Sequence, residues 1–232
     1  MSAREDMLAQ MRRALGRGVL DEAKKAELEA RLAAHPRNLV PKRAQLDHPA
    51  QVELFIEMAE RAAATTVRVA SLAEVPTAVA EFLAAQNLPA AIRLAPDPGL
   101  QAMPWRDRPL LKVETGIAQP GDRASVSPAF AGVAETGTLM MVSGPTSPTT
   151  LNFLPENHIV VLRADQIVGP FEDAWDRLRA ARRGADFPRA INFITGPSRS
   201  ADIEQQLVMG AHGPRRLHII LVAEDSNAQA KA

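Results

Sequence analysis

Thr65-Thr66-Val67-Arg68-Val69 is a β-branched run, followed by an amphipathic helical segment over residues 73–88 and a second short apolar run over residues 90–94. A strand, a helix and another strand at this spacing form the repeating unit of an α/β fold, in which helices cover a sheet built mainly of parallel strands. Upstream of this unit, Val52, Leu54, Phe55, Met58 and Ala59 repeat at helical spacing. Their apolar stripe needs the sheet as a partner.

Downstream, residues 96–109 are rich in proline and hold Trp105 and Arg106 in what reads as a long loop, a kind of segment that is either functional or mobile. From Leu110 the pattern becomes strand-rich, with candidate strands at 110–113, 125–133, 138–142 and 158–163. A helix over 171–183, a strand over 190–195, a helix over 200–209 and a closing strand over 217–223 follow. The expected fold class is therefore α/β, a mostly parallel sheet flanked by helices, with an N-terminal helical arm.

That arm is read from Met7, Met11, Leu15, Leu20, Leu28 and Leu32, spaced for two amphipathic helices with a break near Gly16-Arg17-Gly18. It docks on a neighbour, or else packs on its own domain or frays in solution. The expected organisation is an arm and connector over residues 1–46, one α/β domain over 47–225 and a flexible tail over 226–232.

Charge and composition exclude several functions. Lys plus Arg number 27 and Asp plus Glu also 27, so no net field draws the chain to nucleic acid or to an anionic membrane. With aromatic residues at 4% and no Tyr, stacking platforms for single strands are scarce. The chain has no Cys, so it forms no disulfide, offers no thiol nucleophile and holds no iron–sulfur cluster by its own thiolates. The first residues lack a signal-peptide apolar core and no apolar run is long enough to span a bilayer, so a cytoplasmic location is expected.

Three segments carry candidate chemistry. In Glu135-Thr136-Gly137-Thr138, a glycine between two apolar strands permits a tight turn that aims two hydroxyls and nearby N–H groups at one spot beside a carboxylate. Glu135 is the candidate general base or nucleophile, with Thr136, Gly137 and Thr138 as pocket walls. The same spacing also fits a turn whose threonines bond the backbone.

In Gly196-Pro197-Ser198-Arg199-Ser200-Ala201-Asp202-Ile203-Glu204, a strand end runs through a Gly-Pro turn into an expected helix. Gly196, Pro197, Ser198 and Arg199 are candidate ligand-binding residues for a small carboxylate or a sugar phosphate, although Asp202 and Glu204 would repel a phosphate. A plain helix cap at Ser198 or Ser200 explains the same residues.

The third segment is Met209-Gly210-Ala211-His212-Gly213-Pro214-Arg215-Arg216-Leu217-His218. His212 between flexible glycines is a further binding candidate, and His218, at the mouth of an apolar strand, reads as structural. The five histidines show no metal-ligand spacing, and neither a P-loop nor a Gly-x-Ser-x-Gly elbow is present. No metal and no cofactor is expected.

These three segments, with Leu154-Pro155 and His158-Ile159-Val160-Val161 between them, occur in the order and at the distances of the LUD domain signatures. Over residues 50–223 the chain resembles the lactate-utilization protein C family. Without the Cys-rich ferredoxin-like extension of the longer B-type member, it is similar to the short C-type member. The resemblance implies a fold like that of the sugar-phosphate isomerase and CoA-transferase group. It also implies a non-redox role beside iron–sulfur partner subunits in oxidising L-lactate to pyruvate, with Glu135 as a site residue by analogy. The alternatives are a stand-alone isomerase, CoA-transferase or cyclo-ligase type enzyme using Glu135, and a scaffold whose N-terminal helices are the interaction surface.

Overall fold

The computed structural model describes residues 2–16, 18, 20–182, 187–200 and 208–223. Contacts divide the chain into two units, Met1–Leu39 and Val40–Ala232. The first unit holds α1 (Ala3–Ala14) and α2 (Glu22–Ala34). Ser2 caps α1 in a reciprocal box with Glu5, and Asp21 caps α2 by accepting from the Lys24 N–H. The two helices expected around residue 16 are present, and Met7, Met11, Leu15, Leu20, Leu28 and Leu32 are exposed.

The second unit is built on six parallel strands. From edge to edge they are β1 (Thr65–Val69), β12 (Arg216–Val222), β7 (Asn157–Arg163), β4 (Ala124–Pro128), β2 (Ala91–Leu94) and β3 (Lys112–Thr115). The expected mostly parallel sheet flanked by helices is the observed architecture. Strands β7 and β12 are buried almost throughout, as parallel strands covered on both faces must be.

Alternate side chains of those strands feed different cores. Ile159, Val161, Ile220 and Val222 join Val75, Val79, Phe82 and Leu83 of α4 (Val75–Ala85) on one face. Val160, Leu162, Ile219 and Leu221 join Phe55 and Ala59 of α3 (His48–Arg61) on the other. Asp47 starts α3 by accepting from the Ala50 N–H, and Pro49 sits in its first turn, where a missing N–H costs nothing.

A second sheet of four strands contains β8 (Ile167–Val168), β5 (Ala131–Val133), β6 (Thr138–Val142) and β9 (Ile191–Ile194). Leu139 and Met141 of β6 face the α3 core, while Met140 faces Ala174 and Leu178 of α7 (Phe171–Ala181). Phe193 meets the Phe171 and Trp175 rings edge-on at 5.3 and 5.5 Å.

Three expectations change. The single strand read over 125–133 is two strands in different sheets: the Ala129 N–H still bonds Val161, but the Phe130 N–H already bonds Met140 of the second sheet. Pro128, which has no N–H to give, marks the departure. The helix expected over 200–209 begins and ends in extended backbone, since β10 (Arg199–Ser200) pairs antiparallel with β11 (Val208–Met209); residues 201–207 lie outside the described residues, as does the expected tail over 226–232. Finally, the loop over 96–109 is anchored, because Trp105 is buried and its Nε1–H donates to the Leu100 carbonyl at 2.6 Å.

The last turn of α3 fits against two glycines. At Gly137 (φ +64°) a Cβ would collide with the Met58–Ala59 backbone, and at Gly196 (φ +69°) with the Ala62 carbonyl. Gly137→Ala is expected to cost about 2 kcal/mol or more, roughly 4–8 °C in Tm. Gly144→Ala, where nothing lies within 4 Å of the added carbon, should stay within about 0.5 kcal/mol. Thermal melts of the two variants check this; equal losses would show that close approach to α3 is not what Gly137 provides.

Candidate functional site

The turn between β5 and β6 carries the first motif. The Glu135 N–H donates to the Gly169 carbonyl at 3.1 Å. The Glu135 side chain is only 13% exposed, with Oε1 3.9 Å from the Arg43 guanidinium. Thr136 Oγ1 lies 2.6 Å from Thr138 Oγ1, which in turn lies 2.6 Å from Thr195 Oγ1. These hydroxyls form a continuous hydrogen-bonded chain that links the first motif to the second.

Thr195 leads into the Gly196 loop, which is held at several points. The Ser198 N–H donates to the Pro214 carbonyl at 2.9 Å, and the Gly210 N–H to the Ser198 carbonyl at 2.9 Å. Arg199 donates to the Ala62 carbonyl at the end of α3, where a cation also complements the helix dipole. The strand before this loop, β9, belongs to the four-stranded sheet and pairs antiparallel with β6, so the loop does not follow a strand of the parallel sheet.

Gly196, Pro197, Ser198 and His212 line one cavity of about 240 Å³. It sits at the amino ends of β7 and β12, where His158 and Leu217 also reach it. His212 is exposed. Arg199 is not among the walls, nor are Glu135, Thr136, Gly137 and Thr138, which connect to the cavity only through Thr195.

Two buried residues that sequence reasoning passed over complete this cavity. His158 is fully buried, its Nε2 2.7 Å from Ser127 Oγ, and its Nδ1 has no partner among the described residues. Asn152, on the short helix α6 (Thr150–Phe153), is also buried with an unpartnered Oδ1. An imidazole opening the otherwise apolar run His158-Ile159-Val160-Val161-Leu162 was the available signal: a polar group at the end of a central strand needs a partner. Among the described residues no group of three or more His, Asp or Glu is placed to hold a metal ion.

Burial pushes His158 down to about 3 and His218 down to about 4. His218 has the structural setting expected of it: Nδ1 lies 2.7 Å from Thr65 Oγ1, and the ring stacks on Phe82 at 4.2 Å. Both imidazoles stay neutral in the folded protein at ordinary pH, whereas an unfolded imidazole protonates near 6.5. Above pH 6.5 neither state gains a proton. Below it the unfolded chain binds protons that the folded chain refuses, so stability falls with acidification by about 1.4 kcal/mol per pH unit for each histidine. Urea unfolding between pH 6.5 and 5 should show that slope, and His218→Gln should remove about half of it; a flat profile in this window would mean the two rings are not held neutral.

Comparisons with known proteins show what this geometry is similar to. Residues 123–222 match the family model for the LUD domain, a range that holds the amino-end cavity walls, the β5–β6 turn and three of the six parallel strands but not α3. The likeness to the LUD domain family is carried by these residues, less than half of the chain. It is 38% identical over 106 residues to a lactate utilization protein C of Geobacillus thermodenitrificans, covering 44% of each chain. It is 37% identical over 106 residues to lactate utilization protein C of Bacillus subtilis, again covering 44% of each. An uncharacterized protein of Neisseria meningitidis serogroup B is 37% identical over 102 residues, covering 44% of this chain and 43% of that one. The chain thus matches less than half the length of these relatives. Among solved structures, a DUF162 family protein of Deinococcus radiodurans shares the fold with a TM-score of 0.56 at 21% identity, covering 76% of this chain and 99% of that one.

Proposed function

We propose that this chain is a non-redox component of a bacterial L-lactate utilization system, acting beside iron–sulfur partner subunits that oxidise L-lactate to pyruvate. The observation that carries the reading is the match to relatives named lactate utilization protein C. A sequence without cysteine fits a division of labour in which partners hold the clusters. Among the described residues no helix is long and apolar enough to cross a membrane. A cytoplasmic location is part of the same reading.

Within this role the amino-end cavity is the proposed site for a small carboxylate. A 2-hydroxy or 2-oxo acid fits its 240 Å³: a ligand hydroxyl would donate to the orphaned Asn152 Oδ1, and a ligand carbonyl oxygen would accept from His158 Nδ1–H. Ser198, the Gly196-Pro197 backbone and His212 would bind its carboxylate, and Arg199 holds the loop to α3. Thr136, Gly137 and Thr138 support the wall through the hydroxyl chain.

A second reading, an isomerase, CoA-transferase or cyclo-ligase type enzyme using Glu135, is favoured by the setting of that carboxylate, mostly buried beside Arg43 and outside the cavity. It predicts that Glu135→Gln abolishes turnover with the fold intact.

Growth on L-lactate as sole carbon source separates these readings. A deletion strain should fail to grow and should be rescued by the wild-type chain. Rescue by Glu135→Gln as well would remove Glu135 from the mechanism. Normal growth of the deletion strain, in a background without another lactate oxidase, would overturn the lactate assignment itself.

A further inference from the structure

At the opposite edge of the parallel sheet a larger cavity, about 410 Å³, opens over the carboxyl ends of β2, β4 and β7. Topology places it there. From β2 the chain continues outward to β3, whereas from β4 it leaves this sheet for β5 and β6 and returns on the other side of β4 as β7. Neighbouring strands whose continuations diverge leave a crevice between their connections, the usual ligand position in open parallel sheets. None of the three sequence motifs supplies a wall to it.

The polar groups in this crevice are mostly donors. Arg182, half-buried at the end of α7, lines it, and its guanidinium has no hydrogen-bonding or charged partner among the described residues. Arg163 lines it too, already engaged at 3.0 and 2.7 Å by Asp165. The turn over residues 143–147 adds three hydroxyls. Ser143 Oγ accepts from the Ala190 N–H at 2.8 Å and keeps its own proton to give, while Thr146 and Ser147 have no side-chain partner among the described residues. The carboxylate in the lining, Asp97, accepts from the Leu100 N–H at 3.0 Å.

We propose that this crevice is a binding site for an organic oxyanion larger than a three-carbon acid, gripped by the Arg182 guanidinium and the hydroxyls of Ser143, Thr146 and Ser147. A guanidinium fork with convergent hydroxyls recognises the shared chemistry of carboxylates and phosphate esters. The lining supports an apolar body as well, through Leu72, Leu100, Met103 and Phe130. The site stands independently of the amino-end cavity and of the lactate reading.

Calorimetric titration of the full chain with citrate, ribose 5-phosphate and uncharged ribose tests this. Binding of citrate or of ribose 5-phosphate is expected, and the arm that responds names the oxyanion. Arg182→Gln should weaken it by roughly tenfold to a hundredfold. Lys112→Gln, which removes the same charge from an exposed residue outside the crevice, should leave it unchanged. Thermal melts confirm that both variants fold. Absence of heat with both anions, equal binding of ribose, or affinity indifferent to Arg182→Gln would each overturn the proposal. Growth on L-lactate is read separately, so failure of one assignment leaves the other standing.

Discussion

The structure turns on the close approach of the last turn of α3 to two glycines from distant parts of the chain. Gly137 and Gly196 both adopt positive φ and both lie against α3 backbone where a side chain has no room. This contact brings the turn after β5 and the loop after β9 to the same helix end, where Arg199 binds the Ala62 carbonyl. The Thr136, Thr138 and Thr195 hydroxyls then join the two segments directly. Gly137 and Gly196, candidate binding residues in the sequence, are also the points at which these two segments approach α3 backbone.

That arrangement fixes the relation between the sheets. The four-stranded sheet lies between the α3 core and α7, and its strand β6 serves both sides by alternation, Leu139 and Met141 one way and Met140 the other. The parallel sheet does the same with α3 and α4. Three apolar cores thus leave little polar surface inside, which makes His158 and Asn152 conspicuous: an unpaired buried donor or acceptor costs about 1–3 kcal/mol unless something fills the space beside it.

The two cavities differ as their edges differ. At the amino ends of β7 and β12 the walls are a neutral imidazole, a carboxamide, small residues and an exposed histidine, suited to a small ligand read by hydrogen bonds. At the carboxyl ends of β2, β4 and β7 the walls carry guanidinium groups and hydroxyls over a larger volume, suited to charge. The LUD domain match over residues 123–222 covers most of both linings, while α3, to which Gly137 and Gly196 are packed, lies outside it.

The sequence by itself determined the fold class, because periodicity reports which side chains must be buried: the βαβ unit from Thr65, the helix that became α3, and the closing apolar strand all stand where their patterns put them. It also named Gly196, Pro197, Ser198 and His212 as candidate binding residues, and these four line one cavity. Only the tertiary structure decided the rest. The break at Pro128 between two sheets depends on which strand offers the next carbonyl, and the extended backbone at Arg199–Ser200 on its pairing with Val208–Met209. The turn that follows Glu135 and the residue before Gly196 are joined by the Thr136, Thr138 and Thr195 hydroxyls, yet Glu135 faces Arg43 while the Gly196 loop lines the cavity. No local pattern encodes which residues line a space formed by separate strand ends, because that depends on strand order, and strand order is a property of long-range pairing.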